Sequence, residues 1–337
     1  MKETDFVRYL TQFLSVHLPG QRGTKRNTQI SYRDSFALLL EYCRDHENIF
    51  PEKLSVSQVD RELILRFLQW LEESRNCKPA TRNQRLAAIH SFFSFLMVEA
   101  PQYIELAQKV LSVPMKKTDK PPLMYLPLDA VKGLLDQPNR TTTQGKRDAV
   151  LLSLLYDTGA RVQELADLKV GDVSLNDTVT IILTGKGGKS RMVPVMRPTG
   201  ELIKQYIEGA GLSSPACNGN PLFTNRSNKP LTRAGITYIL KKYAEAAQAN
   251  GVKDISSVIT PHWLRHSKSM HLLQSGVNLV YIRDLLGHAD ISTTEIYARA
   301  DEKMKRKALT EAYNSPSNEE LPVWKKDKGL MDWLKSL

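Results

Sequence analysis

Cysteine is scarce in this chain of 337 residues: Cys43, Cys77 and Cys217 are far apart and odd in number. That excludes a disulfide framework and a cysteine-rich zinc site, and it fits a reducing compartment. Long apolar runs are missing too. Hydrophobic residues make up 41% of the chain, yet no run reaches the ~18–20 residues of a membrane span. The start Met1-Lys-Glu-Thr-Asp has no signal-peptide pattern. The expectation is a cytoplasmic protein with no membrane partner. Metal and nucleotide signatures also fail. His262 and His266 have metal-like spacing, but Trp263 stands where a zincin needs glutamate. Around Gly185-Lys186-Gly-Gly-Lys189-Ser190, a P-loop would need glycine at Leu183 and a dinucleotide fingerprint glycine at Ser190.

What the chain has in excess is positive charge. A formal net charge of +11 points to an anionic partner, with a merely solubilising surface as the other reading. Beyond residue 110 there are 32 basic against 23 acidic side chains, so the excess lies mainly downstream. Phe36, Leu39, Leu40 and Cys43 recur at the three-four spacing of an amphipathic helix, as do Leu63, Phe67 and Leu71, and Leu86, Ile89, Phe93 and Leu96. These stripes predict an all-helical domain over residues 1–110. The proline- and charge-rich stretch from Val113 to Pro122 predicts an interdomain linker over 111–124. A second domain over 125–310 is read as mostly helical, around β-rich runs at 179–183 and 191–195 that would form a hairpin presenting Lys186. In the tail, 311–337, Leu330, Trp333, Leu334 and Leu337 form an apolar stripe too short to be a stable helix alone. It needs a partner surface, either on this chain or on a neighbouring copy.

Four signatures follow one another in the second domain: Thr158-Gly-Ala-Arg161-Val-Gln-Glu164, Gly185-Lys186-Gly-Gly-Lys189, His262-Trp-Leu-Arg265-His266, and Leu286-Gly-His288 followed by Tyr297. Two arginines and a lysine can surround a phosphate. Histidines move protons near neutral pH, and a phenol can attack phosphorus to form a covalent ester. The set implies phosphoryl transfer through tyrosine. Each part alone has a bland reading: a surface ion pair for Arg161 and Glu164, a flexible turn for the glycines, core packing for His262 or Tyr297.

Together, in this order and with nine residues from His288 to Tyr297, the signatures resemble the phage-integrase family of tyrosine recombinases, over most of the chain. The resemblance implies a mainly α fold with a small β-hairpin or sheet: an amino-terminal helical, SAM-like core-binding domain and a tyrosine-recombinase catalytic domain. It makes Arg161 and Arg265 the arginines on the scissile phosphate, with Glu164 orienting Arg161. Lys186 becomes the acid for the leaving 5′ oxygen, with Lys189 a weaker candidate. His262 assists proton transfer, His288 completes the clamp and Tyr297 is the nucleophile. Tyr281 precedes His288 and breaks the motif order; the role of His266 is left open. Lys78, Arg82 and Arg85, at helical spacing, become candidates for DNA phosphate contact. No metal, ATP or other cofactor is required.

The implied function is a site-specific DNA recombinase of integrase or transposase type. It would work through a 3′-phosphotyrosyl ester, as a homotetramer on double-stranded DNA with inverted-repeat core sites, on the bacterial nucleoid. A type IB topoisomerase is the rival enzyme, and a catalytically silent DNA-binding regulator the rival of another class. The prolonged tail resembles those of mobile-element recombinases more than those of compact chromosome-dimer resolvases.

Overall fold

Apolar spacing at three and four residues becomes buried helix surface throughout the first half of the chain. The computed structural model describes residues 4–118, 123–185, 187–288, 290–291 and 294–297; Lys186 and the tail 311–337 lie outside them. The chain divides into two units, Met1–Pro121 and Pro122–Leu337.

In the first unit, α1 (Asp5–Gln12) runs on into a π-helical segment, Phe13–Gln21. Then follow α2 (Arg26–His46), α3 (Arg61–Glu73), α4 (Pro79–Glu99) and α5 (Ile104–Leu111). The Asp60 carboxylate caps α3 by accepting from Leu63 N at 2.8 Å, and Pro79 opens α4, where its missing N–H costs nothing. Phe36, Leu39, Cys43, Leu63, Phe67, Leu71, Leu86, Ile89, Phe93 and Leu96 are buried as their spacing predicts; Leu40 is only partly so. The core is aromatic: Phe92 meets Phe13 and Phe36 edge-on at 5.5 and 5.3 Å, an arrangement favoured by the ring quadrupole.

The first residues of the expected linker are fastened to this unit. Val113 is buried, and the Asn83 side chain donates to Lys116 O at 2.7 Å while accepting from Lys116 N at 3.0 Å. The Asn83 amide thus substitutes for a strand partner. Lys116 also pairs with Glu72 at 2.7 Å.

The second unit holds α6 (Leu128–Leu135), α7 (Thr143–Asp157), α8 (Val162–Ala166), the strands β1 (Val173–Ser174), β2 (Thr180–Thr184) and β3 (Ser190–Pro194), then α9 (Arg197–Gly209), α10 (Arg233–Ala249), α11 (Pro261–Gln274) and α12 (Leu279–Leu286). The strands form an antiparallel sheet in the order β1-β2-β3, with Leu183 opposite Arg191 and Thr184 opposite Ser190. Inward residues Ile181, Leu183 and Val193 join Leu151, Leu155, Ile203, Leu240 and Leu264 in one aliphatic core. Helix α9 is not anticipated by the sequence reading. Its buried face contains Thr199 and Gly200 beside Ile203 and Tyr206, which dilutes the apolar signal. No helix among the described residues is long and apolar enough to cross a membrane.

Candidate active site

Three arginines from three elements converge on one helix end, and two of them share one carboxylate. Arg161 stands at the amino-terminal cap of α8. Glu164, in the first turn, accepts from Arg161 N at 2.9 Å and from Arg161 Nη1 at 2.8 Å. Arg191 on β3 grips the same carboxylate with both terminal nitrogens, at 2.8 and 3.1 Å. Burial alone would raise the Glu164 pKa, but the Arg191 fork and the Arg161 contacts outweigh it and hold the carboxyl at about 2.

The helix end is the carboxyl terminus of α12. Its last carbonyls have no partner within the helix, and three successive ones each accept from a different arginine. Leu285 O takes Arg191 Nε at 2.8 Å, Leu286 O takes Arg265 Nη2 at 2.6 Å, and Gly287 O takes Arg161 Nη2 at 3.2 Å. Arg265 Nη1 also donates to Gly159 O at 2.5 Å. Gly159 and Gly287 have φ of +55° and +62°, a left-handed conformation that glycine adopts without the Cβ penalty. A Cβ at Gly287 would lie 2.8 Å from Arg191 Nη1. Arg161 keeps 35% of its side chain exposed, whereas Arg265 is buried. Burial and the neighbouring Arg161 push Arg265 down to about 10, so it stays cationic at neutral pH.

Around this cluster stand the imidazoles and the phenol. His262 and His266 stack along α11 with ring centroids 6.2 Å apart. His262 is exposed at its edge, yet desolvation and the charges of Arg265 and Arg161 lower its pKa. His266 Nδ1 lies 3.0 Å from the Tyr297 hydroxyl, and His288 Nδ1 lies 2.9 Å from Thr294 Oγ1. Burial, with the nearby cations, brings His266 and His288 each down to about 4, so both are neutral at pH 7. A neutral ring nitrogen can accept the phenolic proton. Tyr297 is 1% exposed. Burial raises its pKa, against the opposing effects of a Ser269 hydrogen bond and of Arg265 and Arg161.

Of the residues singled out from sequence, the structure brings together Arg161, Glu164, His262, Arg265, His288 and Tyr297. Lys186 lies outside the described residues; beside it, Gly185 N donates to Lys189 O at 2.8 Å. Tyr281 is 70% exposed, a surface side chain. The three side chains of the expected basic stripe have different surroundings. Lys78 is exposed just before α4, but Arg82 is buried and donates to Pro114 O at 3.0 Å. Arg85 Nη1 reaches back to Ser31 O and Ser35 Oγ at 3.3 and 3.1 Å. The apolar stripe correctly marked one face of α4; the chain covers the neighbouring face too. Two contributors were missed or left open: Arg191, whose partners are distant in sequence, and His266. No group of three His, Cys, Asp or Glu side chains that could hold a metal ion occurs among the described residues.

Residues 124–304 match the phage integrase family, and residues 10–100 match the phage integrase amino-terminal SAM-like domain. A Sinorhizobium fredii protein described as an integrase/recombinase is 32% identical over 336 residues, covering 100% of this chain and 99% of that protein. Tyrosine recombinase XerC of Herpetosiphon aurantiacus is 36% identical over 295 residues, 86% of this chain and 89% of the relative. Among solved structures, XerH site-specific recombinase bound to a palindromic difH substrate shares the fold with a TM-score of 0.69 at 21% identity, covering 90% of this chain and 86% of that one. By sequence over its whole length, and by fold, the chain belongs to the phage integrase family of tyrosine recombinases, the enzymes that cleave and rejoin DNA strands in site-specific recombination.

Proposed function

We propose that this recombinase cuts DNA through Tyr297. In the proposed step the phenolic oxygen attacks the scissile phosphorus, forming a 3′-phosphotyrosyl ester as the bond from phosphorus to the 5′ oxygen breaks. The phenolic proton passes to a neutral imidazole, and Lys186 supplies a proton to the departing 5′ oxygen. Arg161 and Arg265 neutralise the non-bridging oxygens, His288 adds a hydrogen bond from its neutral ring, and Glu164 holds Arg161 in place. His262 assists proton movement. Arginine forks suit a phosphate because two parallel N–H groups match two of its oxygens.

The observation that carries this reading is the Tyr297 hydroxyl resting 3.0 Å from the His266 ring, with Arg265 and Arg161 near enough to oppose the rise that burial imposes on its pKa. A free phenol with a pKa near 10 costs ~4 kcal/mol to ionise at neutral pH. An adjacent base and two cations lower that cost at the moment of attack.

On the same reading, residues 1–110 and 125–310 bind opposite faces of a duplex, joined by 111–124, and four protomers act on two duplexes carrying inverted-repeat core sites. The tail 311–337 is proposed to make protomer contacts. Lys78 remains a candidate phosphate contact. The place of action is proposed to be the bacterial cytoplasm, on the nucleoid. A mobile-element role is supported by the tail sequence, and repeats flanking the encoding gene would identify its sites. The test of the nucleophile is Tyr297→Phe on a nicked suicide duplex built from those repeats. DNA binding should persist and the covalent protein–DNA adduct should vanish from a denaturing gel; an adduct at the wild-type rate refutes the assignment.

A further inference from the structure

Arg191 has no part in the chemistry proposed above, yet its guanidinium joins three separate pieces of the site. On β3 it sits opposite Leu183, in the strand that returns from the hairpin. One edge of the guanidinium donates to Leu285 O through Nε; the terminal nitrogens take both oxygens of Glu164. The hairpin, the residue that orients Arg161 and the end of α12 are thereby held by one planar group.

We propose that Arg191 is a positioning residue for strand cleavage: it keeps the β2–β3 hairpin in register with Arg161 and with the α12 end from which His288 follows. Its side chain is only 13% exposed, and its Nε and both terminal nitrogens already have protein partners. It therefore acts through Glu164 and the α12 carbonyl, not by binding phosphate itself. A lysine cannot replace it, since an ammonium is a point donor that cannot span a carboxylate and a carbonyl on a different edge.

Two glycines shape the space for this group. A Cβ at Gly287 would stand 2.8 Å from Arg191 Nη1 and 3.1 Å from its Cδ, and a Cβ at Gly185 would stand 3.0 Å from Glu164 Oε1. The hairpin and the α12 end approach the guanidinium and its carboxylate where side chains are missing. Without Arg191, Glu164 would keep Arg161 as its remaining cation, and the Leu285 carbonyl would lose its side-chain donor. The hairpin would then lose its cross-ties to α8 and α12. A shift near 1 Å in such a site is enough to slow chemistry by about 100-fold.

The inference rests on the reading that Arg161 binds the scissile phosphate and that the hairpin carries the acid. Arg161→Ala and Lys186→Ala, tested alone, report on that reading separately. The experiment compares full-length wild type, Arg191→Ala and Arg191→Lys for DNA affinity by gel shift and for single-turnover adduct formation at saturating protein. The substrates are nicked duplexes with the normal 5′ oxygen or with a 5′-bridging sulfur, which leaves without a proton. Arg191→Lys retains charge and stem, and carries the comparison if Arg191→Ala fails to fold. The expected result is unchanged affinity and adduct formation slowed about 100-fold in both variants. Sulfur should recover part of that loss, whereas Arg161→Ala should gain nothing from it. Wild-type rates in either folded variant, a loss abolished by saturating protein, or the same loss with oxygen and sulfur would overturn the proposal.

Discussion

Both units set arginines against backbone carbonyls, yet among the described residues it is the second that gathers them beside a phenol and imidazoles. In the first unit buried Arg82 holds Pro114 and half-buried Arg85 holds α2. The buried side-chain nitrogens that lack a partner among the described residues, Arg82 Nε, Arg85 Nε and His90 Nε2, all belong to this unit. In the second unit Arg161, Arg191 and Arg265 share a helix end, the first two also share a carboxylate, and three imidazoles and a phenol stand beside them. Burial of a guanidinium therefore says little about chemistry. Convergence of several charged and proton-carrying groups from different elements says much more.

The widest separation between the two regions should appear in cleavage. Arg161→Ala and Arg265→Ala are each expected to lose ~10³–10⁵ in single-turnover adduct formation, the range for arginines on a transferring phosphoryl group. Arg82→Ala should cleave at the wild-type rate once bound. The same assay in excess EDTA and without ATP should give unchanged wild-type rates, because the clamp is made of side chains. A requirement for added magnesium would break the comparison at its root.

A smaller effect concerns pH. The Glu164 carboxyl is held at about 2, below its ordinary 4.5, so its contribution to stability is complete above pH 4.5 and is lost as pH falls toward 2. The shift corresponds to about 3 kcal/mol. Thermal melts of wild type and Glu164→Gln should differ above pH 5 and converge on acidification. Parallel curves across that range would mean that the two arginines do not hold the carboxylate as drawn.

The smallest effect belongs to the first unit. Arg82→Ala should lower stability by about 1–2 kcal/mol through the lost bonds to Pro114 and Asn83, measured by urea unfolding. If it instead weakens DNA binding at constant stability, Arg82 reaches phosphate after all and the contrast between the units narrows.

The same contrast explains what could be read from sequence. Arg161, Glu164, His262, Arg265, His288 and Tyr297 stood out as a set because their order and short-range spacings resemble the tyrosine-recombinase signatures; the structure brings them together, and their roles in cleavage are proposed. The hairpin was legible from its β-rich runs and the glycines between them. Arg191 was not, since its partners Glu164 and Leu285 lie 27 and 94 residues away, and within Arg191-Met-Val-Pro-Val it reads as an ordinary outward polar residue. His266 was visible on the face of α11, but its partner Tyr297 is 31 residues on. Arg82 and Arg85 mark the limit of periodicity. Helical spacing says which residues share a face of α4; it does not say that residues 114–116 and α2 cover them.

The arginine-capped end of α12 has one more consequence, in the sign of the local field. A bare helix carboxyl terminus carries roughly half a negative charge and would push a phosphate away. Three guanidiniums seated on Leu285, Leu286 and Gly287 reverse that sign. The helix dipole in turn offsets the repulsion among three cations held together in a partly dry pocket. On the proposed mechanism the positive pocket exists before any duplex arrives, so the scissile phosphate would meet charges already gathered, with little reorganisation left for it to drive.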